Sequence, residues 1–391
     1  MSVTSCTKES QMAVQPIHHM MPVSTHDEAS RQDYVLALKT HISGKLTPGN
    51  KVEMTHRVLP TFRKTHGRAP ASRQELRAAM ERAPHHQVWG SLMRLGQELM
   101  WESVEDTVDR QLDALEAKAK QLDKGRGSIT HAKGFKPPRY VEAVDVHTMP
   151  GGYCDDASST DLRAGAIYDR GAFMYHHGKR GMDDNGRLIV SFVRTRYPDI
   201  KPRRILDMGC SVGHATTALV DFFPDAEVHA IDVGAPMIRY AHARAEAMGR
   251  PIHFKVANAE DTGYRDGFFD LVVSSNMMHE TSLAAAPRIF AECRRILKPD
   301  GAICHMEVPV RYKDLDLYDQ VMRGWQTYYN GEPFWNAVCA LDLVEMVTAA
   351  GFRDAADGYL ERTNDPDRDR RDLLQTANQG NNYRYMLTGR K

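Results

Sequence analysis

The chain has 391 residues, 42% of them hydrophobic and 26% charged, and its 51 basic side chains balance 51 acidic ones. That length suits two domains, and the neutral balance excludes a global attraction to nucleic acid or an anionic membrane. No run reaches the roughly 20 apolar residues that span a bilayer, and the opening MSVTSCTKES lacks the basic and apolar regions of a secretory signal.

Residues 1–32, rich in Met, Ser, His and Thr and without periodicity, read as a mobile tail. A helical domain is expected over 33–123. Ser72 and Glu75 have capping-box spacing. From Val88 through Leu92, Leu95, Leu99, Val104, Val108, Leu112, Leu115, Ala119 and Leu122, apolar residues recur at near-helical steps. Such a stripe buries against its own domain or a partner subunit, so a homodimer through these helices, or a cover over a substrate, is one expectation. Residues 124–159, rich in Gly and Pro, read as a linker or arm.

Beyond residue 160 strands and helices alternate. RRILDM, AEVHAID, IHFKVAN, FFDLVVSSN, GAICHMEV and YRYMLTG read as strands, separated by helical runs such as HATTALVDFF and APMIRYAHARAEAMG. Alternation at this spacing predicts an α/β fold with a mostly parallel sheet covered on both faces. Ligands in such sheets bind at the carboxyl ends of the strands. The first strand ends there in an acid, Asp207, and runs through Gly209 and Gly213 into a helix. A dinucleotide fold wants G-x-G-x-x-G to admit a pyrophosphate; Gly209-x-x-x-Gly213 does not supply it, and Asp207 would repel one. Six cysteines without CxxC spacing predict reduced thiols in a cytoplasmic protein, with no zinc site and no disulfide framework.

LDMGCSVG, with Asp232 nineteen residues after Gly213, VANAED, FFDLVVSSNMMHE and RRILKPDGAICHMEV, resembles the class I S-adenosylmethionine-dependent methyltransferases over residues 160–391. The resemblance implies a Rossmann-like sheet of seven mostly parallel strands with helices on both faces. It also implies S-adenosylmethionine as cofactor, contacted by Asp207, Gly209, Cys210, Ser211, Gly213, Asp232, Val233, Met237, Asn258, Ala259, Glu260, Asn276 and Tyr168. Two departures stand out: Ser211 replaces the middle glycine of the loop, and Asn258 stands where most relatives have Asp. Asp232 is the expected acceptor for both ribose hydroxyls, since a carboxylate offers two oxygens to a vicinal diol.

Methyl transfer needs alignment and exclusion of water, and a base only where the nucleophile must lose a proton. His279, oriented by Glu280, is the candidate base; capping or packing of the following helix is its alternative role. Tyr153, Tyr175, His176, Tyr328, Tyr329, Asn330 and Trp335 are candidate substrate contacts, aromatic walls with a few polar groups being what small-molecule pockets contain. His176 with His177 lacks a third ligand at a useful spacing, so no metal is expected. The favoured acceptor is a small metabolite, oxygen ahead of nitrogen, carbon or sulfur. Nucleic acid is not expected: the chain has no basic stripe and no N-P-P-[FY] run after the fourth strand. The contrasting reading is a sensor or scaffold that binds the cofactor without transferring methyl.

Overall fold

The computed structural model describes residues 18–131, 134–175, 183–308, 311–362, 370–375 and 382–391. Its eight strands are β1 (Ser128–His131), β2 (Arg204–Met208), β3 (Glu227–Asp232), β4 (Ile252–Val256), β5 (Phe269–Ser275), β6 (Leu297–Glu307), β7 (Arg353–Glu361) and β8 (Tyr383–Arg390). They form one sheet in the order β1-β4-β3-β2-β5-β6-β8-β7. Pairing is parallel from β1 to β6, while β8 runs antiparallel to both β6 and β7. The sheet thus has eight strands among the described residues rather than seven. The additional edge, β1, comes from the Gly- and Pro-rich arm expected to be a linker.

Side-chain alternation builds the two faces. Leu206 and Met208 of β2 join a core with Ile289, Phe290 and Cys293 of the helix Ala285–Ile296. Ile205, one residue out of step, points to the opposite core with Phe192 of Asp184–Arg196, Leu219 of His214–Phe222 and Ile238 of Ala235–Ala247. Central strands buried on both faces need apolar residues at nearly every position, which is why they stand out in the sequence.

The N-terminal region is helical but begins earlier than expected. Thr25 caps the helix His26–His41 and Glu28 bonds back to its N–H, a complete capping box. Met20 and Met21 are fully buried, so residues 18–32 do not form a tail. At Ser72 only half the expected box exists: Ser72 accepts from Glu75 N, whereas Glu75 bonds Ala71 N and Arg68. The long amphipathic run is two helices, Pro84–Asp109 and Leu112–Leu122. Of the expected stripe Val104, Val108 and Leu115 are buried, whereas Val88 and Leu95 are exposed; Trp89, Met100 and Trp101, outside the stripe, are buried as well. Trp101, Val104 and Val108 share one core with Ile167 and Phe173 of the helix Arg163–Tyr175 and with Met237 and Tyr240 after β3. The N-terminal helices therefore pack on the α/β unit beside its ligand-binding end. No described helix is long and apolar enough to cross a membrane.

Candidate active site

A cleft opens at the carboxyl ends of β2 to β5, lined by Gly209, Ser211, Asp232, Val233, Met237, Asn258, Ala259, Asn276, Met277 and Glu280, with Tyr140, Tyr153 and Tyr168 among its walls. The loop after β2 turns under it with positive φ at three residues: Gly209 (65°), Ser211 (52°) and Gly213 (77°). Ser211 therefore adopts the left-handed backbone that glycine adopts freely, at a cost of about 1–2 kcal/mol. At Gly209 a Cβ would sit 2.7 Å from Met277 Cγ, so the bare backbone is required by close approach.

Asp232, the last residue of β3, accepts from Ser211 N at 2.8 Å and Gly234 N at 2.9 Å. Burial pushes its pKa up to about 6, against those backbone donors. Two carboxylate oxygens fixed this way keep lone pairs for a further donor. Asn276, at φ 59°, lines the cleft with its Oδ1 buried and without a protein partner.

Other expected contacts sit off the cleft. Asp207 is buried behind the loop, accepting from Thr216 Oγ1 at 2.6 Å, and burial raises its pKa to about 7. Cys210 turns into the sheet core, and its N–H ties the loop to Ile231 O. Gly213 caps the following helix, its carbonyl accepting from Arg244. Glu260 pairs with Arg288 and accepts from Tyr140 OH at 2.8 Å, so it reaches the cleft only through that tyrosine.

At the far end of the cleft lies a cluster of imidazoles and carboxylates. His279 and Glu280 occupy a single turn, Met278–Glu280, after β5. His279 Nδ1 lies 2.5 Å from Oε2 of Glu307, the last residue of β6, and its Nε2 faces Glu332 at 3.6 Å. It is buried and absent from the cleft lining. Glu280 does line the cleft; its Oε1 accepts from Tyr153 OH at 3.1 Å and lies 3.4 Å from His147 Nε2. The other ring nitrogen of His147 meets Glu332 at 3.1 Å, and Asn330 Nδ2 donates to the same carboxylate at 2.9 Å. Burial works against charge on both imidazoles, but the surrounding carboxylates together outweigh it, Glu307 with Glu332 and Glu280 at His279 and Glu332 with Glu280 at His147, raising them to about 9 and about 10. Burial likewise opposes charge on Glu332, yet His147 and His279 hold its carboxyl below the ordinary value. Both rings are thus protonated at neutral pH, and neither can accept a proton there.

Of the expected substrate contacts, Tyr153 lines the cleft, Asn330 belongs to the cluster, and Trp335 packs edge-on against His279 at 5.0 Å. Tyr175 and Tyr328 do not reach the cleft: both are exposed, beneath Lys39 and Arg77 respectively. Tyr329 packs near Trp325 outside the lining. His176 and His177 lie outside the described residues. His147 and Glu307 were not among the expected site residues. Glu307 carried one signal, an acid at the carboxyl end of a central strand like Asp207 and Asp232. Among the described residues one group has metal-ligand proximity, Asp123, His242 and Glu246, none of which lines the cleft. The Glu246 carboxylate there already accepts from Lys124 N, Gly127 N and Arg126.

Residues 205–301 match the family model described as a methyltransferase domain. A malonyl-[acyl-carrier protein] O-methyltransferase of Geobacter sulfurreducens is 38% identical over 104 residues, 26% of this chain and 37% of that one. A demethylmenaquinone methyltransferase of Thermus thermophilus is 32% identical over 108 residues, 28% of this chain and 48% of that one. The matched part spans less than half of either relative. A solved structure of a candidate O-methyltransferase from Nostoc punctiforme covers 91% of this chain and 98% of its own, at 14% identity and TM-score 0.44, a likeness too loose to carry an argument.

Proposed function

We propose, from the premise that residues 205–301 form a methyltransferase domain of the class I S-adenosylmethionine-dependent family, that this chain methylates a small-molecule acceptor at oxygen. The observation that carries the reading is the pairing, across one cleft, of Asp232 anchored by two backbone N–H groups with Glu280 facing the same space. The relatives' acceptors do not transfer to this chain, because the match leaves more than half of each relative unaccounted for.

The residues present fit the cofactor. Asp232 would take the ribose hydroxyls, Asn258 and Ala259 would flank the adenine, and Gly209 leaves room for the amino-acid end. Asn276, which lines the same space, has a buried side-chain oxygen without a protein partner and would accept from an amine. When bound, S-adenosylmethionine supplies a methyl group already activated as a sulfonium. The chain's own work is to align and to exclude water. Tyr140, Tyr153 and Tyr168 wall the cleft with aromatic rings. An attacking hydroxyl loses a proton as its oxygen bonds the methyl carbon. Glu280 is the group we assign to take it, in place of His279, whose ring is already protonated and engaged by Glu307. Incubation with methyl-labelled cofactor and a fractionated metabolite extract tests the reading. Label in an organic-soluble product supports it; label confined to protein, or none in any fraction, contradicts it.

A further inference from the structure

Three segments far apart in sequence converge on His147. Its backbone and that of Thr148 are both left-handed, at φ 58° and 59°. Two such residues bearing a Cβ cost about 1–2 kcal/mol each, and that strain persists only where the surroundings impose it. The N-terminal helix Pro84–Asp109 does so from one side: Trp101 Nε1 donates to the His147 carbonyl at 2.8 Å and Gln97 Nε2 at 3.3 Å. The segment after β6 does so from the other. Gly331 packs so tightly on the Asp145 carbonyl that a Cβ would lie 2.4 Å from it, and Glu332, which itself accepts from Asn330 Nδ2, pairs with the ring. A plain surface linker needs none of this. The outcome of the clamp is that one nitrogen of His147 faces Glu280, whose carboxylate is in the cleft wall.

We propose that His147 is a positioning residue for Glu280, and that the wall they build selects an acceptor bearing a neutral hydroxyl over one ending in a carboxylate. The inference rests on the methyl-transfer reading and names the acceptor chemistry of that site. Two cationic rings, His147 and His279, stand against three carboxylates, Glu280, Glu307 and Glu332, so this end of the cleft carries a net negative charge. An anionic acceptor is repelled and finds no donor at Glu280. A protonated amine is attracted, but a carboxylate partner holds its proton and with it the lone pair needed for attack. A hydroxyl donates to Glu280. As its oxygen bonds the methyl carbon, the carbon–sulfur bond breaks, its electron pair returns to sulfur, and the proton passes to the carboxylate.

The test uses phenol and benzoate, probes of similar shape and different charge, titrated by NMR into the full-length protein saturated with S-adenosylhomocysteine. Phenol should bind more tightly than benzoate by about tenfold or more. E280Q should shrink that ratio to about threefold or less. W101F, which loosens the clamp and leaves every ring and carboxylate in place, should shrink it while S-adenosylhomocysteine affinity stays unchanged, and G331A, which displaces the segment after β6 without removing a polar group, should act like it. A purely structural role would lower the melting temperature and leave the ratio alone. A wild-type ratio near one, no phenol binding, or an unchanged ratio in W101F and G331A overturns the proposal. Failure of S-adenosylhomocysteine itself to bind overturns the underlying reading instead.

Discussion

His279 and Glu307 join the ends of two neighbouring strands: the imidazole Nδ1 lies 2.5 Å from one carboxylate oxygen, while the other oxygen accepts from Met278 N at 2.6 Å. Glu307 thereby fastens to the end of β6 the turn that presents Glu280. Removing one partner of a buried pair leaves the other charge unmatched, at a cost of about 3–5 kcal/mol. E307A should lower the unfolding free energy by roughly that amount in a denaturant titration, and wild-type stability would refute the strut. E307Q should bring the His279 titration, followed by imidazole NMR, down from about 9.

The loop after β2 yields a pair of opposite expectations. G209A places a Cβ against Met277 at a residue with φ 65°, so both the fold and the cleft must give way. Affinity for S-adenosylhomocysteine should fall by about tenfold or more. S211G removes left-handed strain at φ 52° and should leave the melting temperature unchanged or raise it. If calorimetry and thermal melting show G209A tolerated and S211G unstable, the loop's backbone argument fails.

Stability should also depend on alkaline pH. His147 and His279 are raised in the folded protein to about 10 and about 9 from an ordinary 6.5. The folded state therefore binds protons that the unfolded chain releases first. This contribution is complete below about pH 6.5 and declines as pH rises through about 9 and then about 10. Thermal melting from pH 6 to pH 10 should show a progressive fall, flattened in E332Q, which removes a carboxylate facing both rings. A flat wild-type profile would mean that the rings are neutral.

The acids ending β2 and β3, the glycines between them and the apolar central strands were legible because each signal lies within one short stretch. ILDMGCSVG shows a doubly buried strand and its turn together. The edge strands were not. β1, with sequence SITH, is short and lies among glycines and prolines, and β7, with sequence RDAADGYLE, carries two aspartates and a glycine because an edge need not be apolar. The exposed Val88 and Leu95 show the limit of periodicity: a stripe predicts a face, but Trp89 and Trp101 decide which face is covered. The imidazole–carboxylate cluster was hidden for another reason. His147, His279, Glu307 and Glu332 come from four separate segments, and nothing in any one of them announces the others. Glu280 does lie 3.9 Å from His279, as their adjacency in sequence suggests, but the closer partner, Glu307, ends a different strand and leaves no trace beside them.

The most direct test of the central claim is calorimetric titration of S-adenosylhomocysteine into the wild-type protein and D232A. Saturable binding to the wild type is expected, with affinity weakened by more than about tenfold in D232A and the melting temperature of the unliganded proteins closely matched. Equal affinities, or no heat of binding in the wild type, would contradict it.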